Sequence, residues 1–467
     1  MLISLAIFLL GGLLQTIETV DPVALDWFSK GEELIGTDQE NSAQQVEYFE
    51  KAVALAPDFA IARYNLALVY IKREQPGLAA DQLDELIRLD ETDPRGYLLR
   101  ARLRFEENSL DLAASDLTRT LALDSENYQA WQFMGRVHYQ RQQYSEAVRA
   151  FERVLDLNAS LLEAFFDLGL SQQSLGQNEK AIKSYQKFLL AFPDDFQAHF
   201  LLGLVYRDEG KGDPALEHFQ IAEGIEPDHQ ELSQALGYLL LDRGELEEAR
   251  KRLLRADLTS AANLGNLGVI AKRQEDYPQA EDYLRRGLGR EPDNAALWIQ
   301  LGDVLSAQKK EREAVEAYQR ALRYNNRDFG TLFNLGTLLF NLDEIKQARR
   351  FLEQAVELDP DDGSANYNLA LVLDEAKDLD QAQVYYLKAL DHGVDSAHAH
   401  FRLAFMWADQ GAQEEALKHL QQAFEKDAET YVRQIAEELL KVSSDLDSIR
   451  YTDEFNLLLE RYWARME

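Results

Sequence analysis

The sequence predicts an all-α protein in which helical hairpins stack into an α-solenoid. Two observations predict this class. A small residue, Gly or Ala, returns every 34 residues over most of the chain, and an Ala follows it twelve residues later each time. Around both positions apolar side chains recur at i, i+3, i+4 and i+7, the spacing of one face of an α-helix. Self-similarity at such a period indicates an array of repeats.

Residues 1–20 precede the array and are expected to be a membrane anchor or a signal peptide. The first charged side chain is Glu18, so 17 residues run without charge, about the lower limit for a membrane-spanning helix. Basic residues are missing before this run, and Leu9 and Leu10 occupy the place of the small residue that precedes a cleavage site. An uncleaved anchor is favoured over a cleaved signal, and a run that is apolar on all sides argues against a buried first helix.

This N-terminal segment sets the expected location of the chain. Acidic residues, and no Lys or Arg before Lys30, follow the apolar run, which favours export of everything downstream. The protein is therefore expected to be membrane-anchored or exported, in the envelope or periplasm if it is bacterial, rather than cytoplasmic. It should contact the membrane only through residues 1–20.

Each repeat is predicted to be a pair of helices. In residues 329–362 one apolar stripe includes Leu335 and Gly336, and a second stripe includes Ala348 and Leu352. Gly336 and Ala348 remove side-chain bulk where the two helices cross, and a larger residue there would cost about 1–3 kcal/mol. A looser unit occupies 24–59, and regular repeats begin at residues 60, 94, 128, 162, 196, 230, 261, 295, 329, 363 and 397.

The pattern resembles the tetratricopeptide repeat family. Residues 295–328 match the family fingerprint but depart from it at Leu305 and Asn326. The resemblance covers about residues 24–430 and implies a right-handed superhelix of about 12 helix-turn-helix units around a concave groove. Residues 196–229 carry the fingerprint as Leu202, Gly203, Tyr206, Ala215, Phe219, Ala222 and Pro227.

Two irregularities divide the array. The repeat 230–260 has 31 residues, and a shortened repeat cannot keep the rotation of its neighbours. We therefore expect repeat units 1–7 in residues 24–260 and units 8–12 in residues 261–430. Glu438 stands where the next small residue would be, so residues 431–467 are predicted to be capping helices.

Composition excludes several kinds of function. Lys plus Arg is 49 and Asp plus Glu is 82, so the net charge is −33, and such a surface repels phosphate backbones. Nucleic acid is not an expected partner. The chain has no Cys, and its eight His show no metal-binding spacing, since His398 and His400 do not share a helix face. No catalytic, cofactor or metal motif is present, so a non-catalytic protein without cofactor or metal is predicted.

A second stripe on the first helices is not explained by pairing within the hairpin. It carries aromatic residues at repeat position 5, amides at position 6 and two Arg at position 9. Aromatic anchors and planar amides suit a protein or peptide partner; the opposing interpretation is local packing. The predicted groove residues are Tyr64, Asn65, Arg102, Arg136, Phe166, Phe200, Asn266, Gln300, Phe333, Asn334, Tyr367, Asn368 and Phe401.

The expected function is that of a scaffold that binds an extended peptide, in a cell-envelope assembly. The residues Asn266, Gln300, Asn334 and Asn368 occupy position 6 of four successive repeats, and peptide-binding members of the family use such an asparagine ladder. One alternative is an accessory subunit that binds an exported polymer such as a polysaccharide. Another is the regulatory array of an enzyme complex. The sequence leaves the partner and the oligomeric state open.

Overall fold

The computed structural model describes residues 20–439 and 445–464. The predicted anchor lies outside the described residues except for Val20. The described part of the chain is all-helical, which confirms the predicted fold class, and it contains no helix that is both long and apolar enough to cross a membrane. The helices are α1 Pro22–Glu32, α2 Ala43–Leu55, α3 Ala60–Lys72, α4 Pro76–Leu89, α5 Pro94–Glu106, α6 Leu110–Leu123, α7 Tyr128–Gln140, α8 Tyr144–Leu157, α9 Ala164–Ser174, α10 Asn178–Leu189, α11 Phe196–Asp208, α12 Gly212–Ile225, α13 Gln230–Asp242, α14 Leu246–Leu253, α15 Ala261–Arg273, α16 Tyr277–Arg290, α17 Ala295–Ala307, α18 Glu311–Tyr324, α19 Phe329–Asn341, α20 Ile345–Leu358, α21 Gly363–Glu375, α22 Leu379–Asp391, α23 Ala397–Asp409, α24 Gln413–Glu438 and α25 Asp453–Trp463.

The chain forms two compact units, one that ends at Leu239 and one that begins at Leu240. The division falls within α13. The first unit contains the hairpins from α1–α2 to α11–α12, and the second contains those from α15–α16 to α23–α24. The boundary predicted at residue 260 stays a prediction.

The small residue of each repeat lies under a large side chain of the second helix. A Cβ atom added to Gly203 would come 2.5 Å from Cε1 of Phe219, and one added to Gly302 would come 2.6 Å from Cε1 of Tyr318. In the repeat 329–362 the contact of Gly336 is Leu352, at 2.6 Å from such a Cβ. Phe219, Tyr318 and Leu352 stand at position 24 of their repeats. This large residue, more than the Ala at position 20, therefore limits the size of the side chain at position 8.

The turn between the paired helices has one backbone conformation throughout. In the repeat 196–229, Lys211 N donates to Tyr206 O at 2.8 Å and Gly210 N to Arg207 O at 2.9 Å, bonds that close the last turn of a helix before a left-handed residue. That residue stands at position 15 of all eleven regular repeats and has a φ between 56° and 78°; it is Glu74, Asn108, Gln142, Gly176, Gly210, Gly244, Glu275, Lys309, Asp343, Lys377 or Gly411.

Successive repeats are joined by a recurring side-chain bond, here called the position-4 bond. The residue at position 4 donates to the backbone carbonyl six residues earlier, at the end of the preceding repeat or unit. Trp, Asn, Arg and His all make it, because each offers an N–H at the required reach. The bonds are Arg63 to Pro57 (2.7 Å), Trp131 to Ser125 (3.0 Å), His199 to Pro193 (2.9 Å), Trp298 to Pro292 (2.8 Å) and Asn366 to Pro360 (2.9 Å). Asn263, at position 3 of its repeat, makes an equivalent bond to Asp257 (2.8 Å).

The 31-residue repeat and the C-terminal segment are the two irregular parts of the array. Helix α14 has eight residues, whereas α12 and α16 have 14 each, so the missing residues shorten the second helix. At the other end, α24 bends at Asp427, where φ is −150°. Phe455 and Tyr462 of α25 are buried against Phe424 and Ile435 of α24. The segment after the last regular repeat thus covers the core that this repeat would leave open.

Candidate partner-binding groove

Two adjoining hollows in the second unit form the candidate groove. One has a volume of about 420 Å³ and the other of about 400 Å³, and both reach Lys272 and Asp303. The first is also lined by Tyr318, Asn334 and Thr337, and the second by Gln300. Helices α15, α17, α18 and α19 supply these residues. The groove therefore follows the first helices of three successive repeats, with two side chains, Tyr318 and Leu284, from second helices.

The floor of the groove is a closed set of polar bonds. Lys272 Nζ lies 2.7 Å from Asp303 Oδ2, and the Tyr318 hydroxyl donates to Asp303 Oδ1 at 2.7 Å. Burial raises the pKa of Tyr318, and the neighbouring Asp303 carboxylate raises it further, so the phenol keeps its proton. Both carboxylate oxygens and the ammonium are occupied. The charges of Lys272 and Asp303 thus offset each other, and Arg273 adds a positive charge to the lining of the second hollow.

The four predicted ladder amides differ in what remains free for a partner. Asn334 is exposed, whereas Asn266, Gln300 and Asn368 are half-buried. Asn368 Nδ2 donates to Thr337 Oγ1 of the preceding repeat at 2.9 Å. Gln300 Oε1 is buried and accepts no hydrogen bond from the described part of the protein. Asn368 is therefore partly engaged. Asn334 also bonds the Tyr318 side chain, but it is exposed and keeps polar groups that a bound chain can pair with.

The predicted aromatic anchors fall into two groups. Phe333 and Tyr367 are half-buried; Phe333 stacks on Phe329 with ring centres 6.0 Å apart, and the Tyr367 hydroxyl accepts from Ser396 Oγ at 3.3 Å. Phe200 and Phe401, in contrast, are only 6% and 7% exposed. These two belong to the core and offer little surface to a partner.

The burial of Phe200 and Phe401 has a physical reason in each repeat. The Phe200 ring centre lies 6.1 Å from that of Phe219 and 5.8 Å from that of His229. The Phe401 ring lies 4.7 Å from Tyr431 of the bent helix α24. Phe200 and Phe401 are thus covered by rings of neighbouring segments. Phe166 and Tyr367, at the same repeat position, also meet rings but stay half-buried.

The two predicted arginines of the first unit are both paired, and one of them lines a smaller hollow. Arg136 Nε donates to Asp167 at 3.0 Å, beside a hollow of about 220 Å³. Burial raises the pKa of Asp167 and Arg136 opposes it. Arg102 pairs with Glu106 at 3.0 Å. The remaining predicted residues, Tyr64, Asn65 and Phe166, are half-buried.

Lys272, Asp303 and Thr337 are groove residues that the sequence analysis missed. They stand at position 12 or 9 of their repeats, on the same stripe as the predicted aromatic residues. Their place on this stripe could have indicated them. The ion pair between Lys272 and Asp303 could not be found in this way, because its two residues belong to different repeats and no motif within one repeat contains both.

Comparison with family models identifies the repeats. Models described as tetratricopeptide repeat match residues 38–94, 128–160 and 166–229. A model of the cytochrome c-type biogenesis protein H TPR domain matches residues 283–392, the stretch that contains Gln300, Asn334 and Asn368. The chain is a tetratricopeptide repeat protein.

Several solved tetratricopeptide structures are similar to part of the chain. YrrB, described as a TPR protein with an unusual peptide-binding site, is 22% identical; the match covers 43% of this chain and 99% of YrrB, with a TM-score of 0.37. PilF of Pseudomonas aeruginosa is 22% identical over 43% of this chain and 92% of its own, with a TM-score of 0.38. MamA of Desulfovibrio magneticus RS-1 is 24% identical over 36% and 96%, with a TM-score of 0.35. No curated protein matches the chain.

Proposed function

We propose that this tetratricopeptide repeat protein is a non-catalytic scaffold that holds an extended segment of a partner protein in the groove of residues 261–375. The observation that carries the proposal is the buried, unpaired Oε1 of Gln300. A buried acceptor without a donor costs about 1–3 kcal/mol. If the Gln300 amide turns toward the hollow that this residue lines, a backbone N–H of a bound peptide can pair with Oε1 and remove that cost.

The groove also supplies what a hydrogen-bonded peptide needs around that bond. Asn334 is exposed and offers both a donor and an acceptor. Phe333, next to it, adds apolar contact area. The charges of Lys272 and Asp303 offset each other, so the amides would bind the partner's backbone with limited sequence specificity, while Arg273 in the same lining would favour an acidic side chain.

We further propose that the scaffold works at a membrane or in the cell envelope. The uncharged run from Met1 to Ile17 supports this placement. The expected result of fractionation is that the intact protein sediments with membranes and resists carbonate extraction. A mature chain that begins after about residue 12 indicates a cleaved signal instead, and an intact chain in the cytosol contradicts both.

A pair of amide variants tests the groove. The partner is first captured by crosslinking in native membranes, and overlapping peptides from it are then titrated onto the full chain. Changing Gln300 and Asn334 together to Ala is expected to weaken peptide binding at least tenfold, about 1.4 kcal/mol. Asn65→Ala, at the same repeat position in the first unit, is the matched control and should bind normally.

The outcomes separate the candidate ligands. Normal binding by the double variant, with helicity and melting unchanged, contradicts the groove proposal. Failure of all peptides, together with binding of soluble polysaccharide fragments, would favour the polymer-binding alternative. Unfolding of the double variant would assign the two amides to the structure of the array.

A further inference from the structure

Two histidine pairs with the same geometry join the two helices of a repeat. His199 Nδ1 lies 2.9 Å from His218 Nδ1, and His400 Nδ1 lies 2.8 Å from His419 Nδ1. In both pairs the ring centres are 5.1 Å apart and the ring planes meet at 34°. Each pair uses positions 4 and 23 of its repeat. The first pair is in the last complete repeat of the first unit, and the second is in the last regular repeat of the other.

The tautomer of one ring is fixed by its surroundings. His199 Nε2 lies 2.9 Å from the Pro193 carbonyl oxygen, which can only accept, so Nε2 carries the proton of the neutral ring. Nδ1 of His199 is then a lone pair aimed at His218. Histidines that ligate metals usually donate their other ring N–H to a carbonyl or carboxylate, which fixes the ring in the same way.

Three of these imidazoles have a pKa below the ordinary value of histidine. Burial lowers the pKa of His218, and the neighbouring His199 lowers it further. Burial, together with Lys426, lowers the pKa of His400. Burial, together with His400, lowers the pKa of His419 to about 4. Neutral imidazole is the form that binds metals.

We propose that each histidine pair is a binding site for a first-row transition-metal cation, with the two Nδ1 atoms as ligands. Two nitrogens bound at about 2.0–2.1 Å to one such ion lie about 2.9–3.4 Å apart, depending on the coordination angle. The observed 2.9 and 2.8 Å separations reach that range with small rotations of the rings.

Binding at either pair releases no proton. The proton between the two Nδ1 atoms moves to the distal nitrogen of His218 or His419, so both rings stay neutral, and two metal–nitrogen bonds form. The described residues include no group of three or more His, Cys, Asp or Glu side chains suited to a metal. Water completes the coordination shell, and the affinity order is expected to be Cu²⁺ before Ni²⁺ and Zn²⁺.

Such an ion would clamp the first helix of the repeat to the second. Because it binds the folded repeat and not the open one, it would also raise the melting temperature of the full chain. Spacing along the sequence conceals these sites, since the partners are 19 residues apart and lie on different helices.

Calorimetric titration of the full chain, without a histidine tag, with Cu²⁺, Ni²⁺ and Zn²⁺ tests the proposal. We expect two ions per chain, one after His218→Gln and none after His218→Gln combined with His419→Gln. His138→Gln removes a half-buried histidine whose ring bonds Gln143, and it should keep both sites. A double variant that binds as many ions as the parent, or a parent that binds none, overturns the proposal.

A second measurement needs no variant and so does not depend on folding. Substoichiometric Cu²⁺ should broaden the imidazole NMR signals of His199, His218, His400 and His419 before those of the other four histidines. Uniform broadening of all eight would show that the acidic surface collects the metal, and would also overturn the proposal.

Discussion

Asn368 Nδ2 donates a hydrogen bond of 2.9 Å to Thr337 Oγ1, which lies 31 residues earlier in the preceding repeat. Arg136 and Asp167 are also 31 residues apart and bond at the same pair of positions, 9 and 6, in the first unit. The helix face predicted to bind a partner therefore also joins neighbouring repeats. Some residues on this face bond the next repeat, and others are left to contact a partner; these are the two tasks of the face.

The two tasks predict different effects of two amide substitutions. Asn368→Ala removes the bond to Thr337 and should lower the stability of its repeat by about 1 kcal/mol. Asn334→Ala removes an exposed side chain and should change stability by less than about 0.5 kcal/mol. Native-state hydrogen exchange in α19 and α21 measures both. Equal losses in the two variants would contradict the assignment.

The contact of Gly203 with Phe219 predicts a clear penalty for one added methyl group. A Cβ at Gly203 would meet the ring at 2.5 Å, so Gly203→Ala should destabilise the first unit by about 1–3 kcal/mol. Gly224→Ala is the matched control, because its Cβ would meet nothing within 4 Å. That change should be neutral or stabilise helix α12 by up to about 1 kcal/mol. Urea unfolding of both variants gives the comparison, and a destabilising control would refute the steric explanation.

The left-handed residues at position 15 predict that two opposite substitutions, Gly to Ala and Lys to Gly, change stability in opposite directions. Gly210 has a φ of 70° and open space around it, so Gly210→Ala should cost about 1 kcal/mol from the backbone alone. Lys309 has a φ of 59° at the same position of its repeat, and Lys309→Gly should relieve that cost and leave stability equal or higher. Melting temperatures would show it; a large loss on Lys309→Gly would mean that the Lys side chain stabilises the turn by contacts.

The sequence was sufficient for the helical hairpin and its small residue, as at Gly203, because both follow from local helical patterns. The left-handed residue at position 15 and the position-4 bond also recur, but residues of several types form them, so no single residue type marks them in the sequence. The burial of Phe200 depends on which ring the next helix presents, and the bond of Asn368 depends on the position-9 residue of another repeat. The Lys272–Asp303 pair and the histidine pairs have no signature in the linear order, because contacts between helices create them.

The pH dependence of stability should include a contribution from Glu281. Burial alone would raise the pKa of Glu281, but hydrogen bonds from Lys310, Arg285 and Gln308 outweigh it and lower the pKa from 4.5 to about 2. A carboxylate with a depressed pKa in the folded state stabilises the protein above its unfolded value. That stabilisation is lost as the pH falls from about 4.5 to about 2.

Glu281→Gln measures this contribution. The variant should be less stable than the parent by about 1 kcal/mol at pH 7, a figure that allows for solvent screening of the ion pairs. The difference should shrink toward zero near pH 2. Thermal unfolding at several pH values checks the trend, and a difference that is the same at pH 7 and pH 2.5 would contradict it.

The position-4 bond has a consequence for how such chains change length in evolution. It joins a residue near the start of one repeat to a carbonyl near the end of the one before, as Trp298 does with Pro292. A tandem duplication of 34 residues recreates both halves of this bond at the new junction, wherever in the period the breakpoint falls. An inserted repeat therefore bonds to its neighbours from the start, and a deleted repeat leaves neighbours that can bond each other. The array can gain or lose whole repeats without new mutations at the junction.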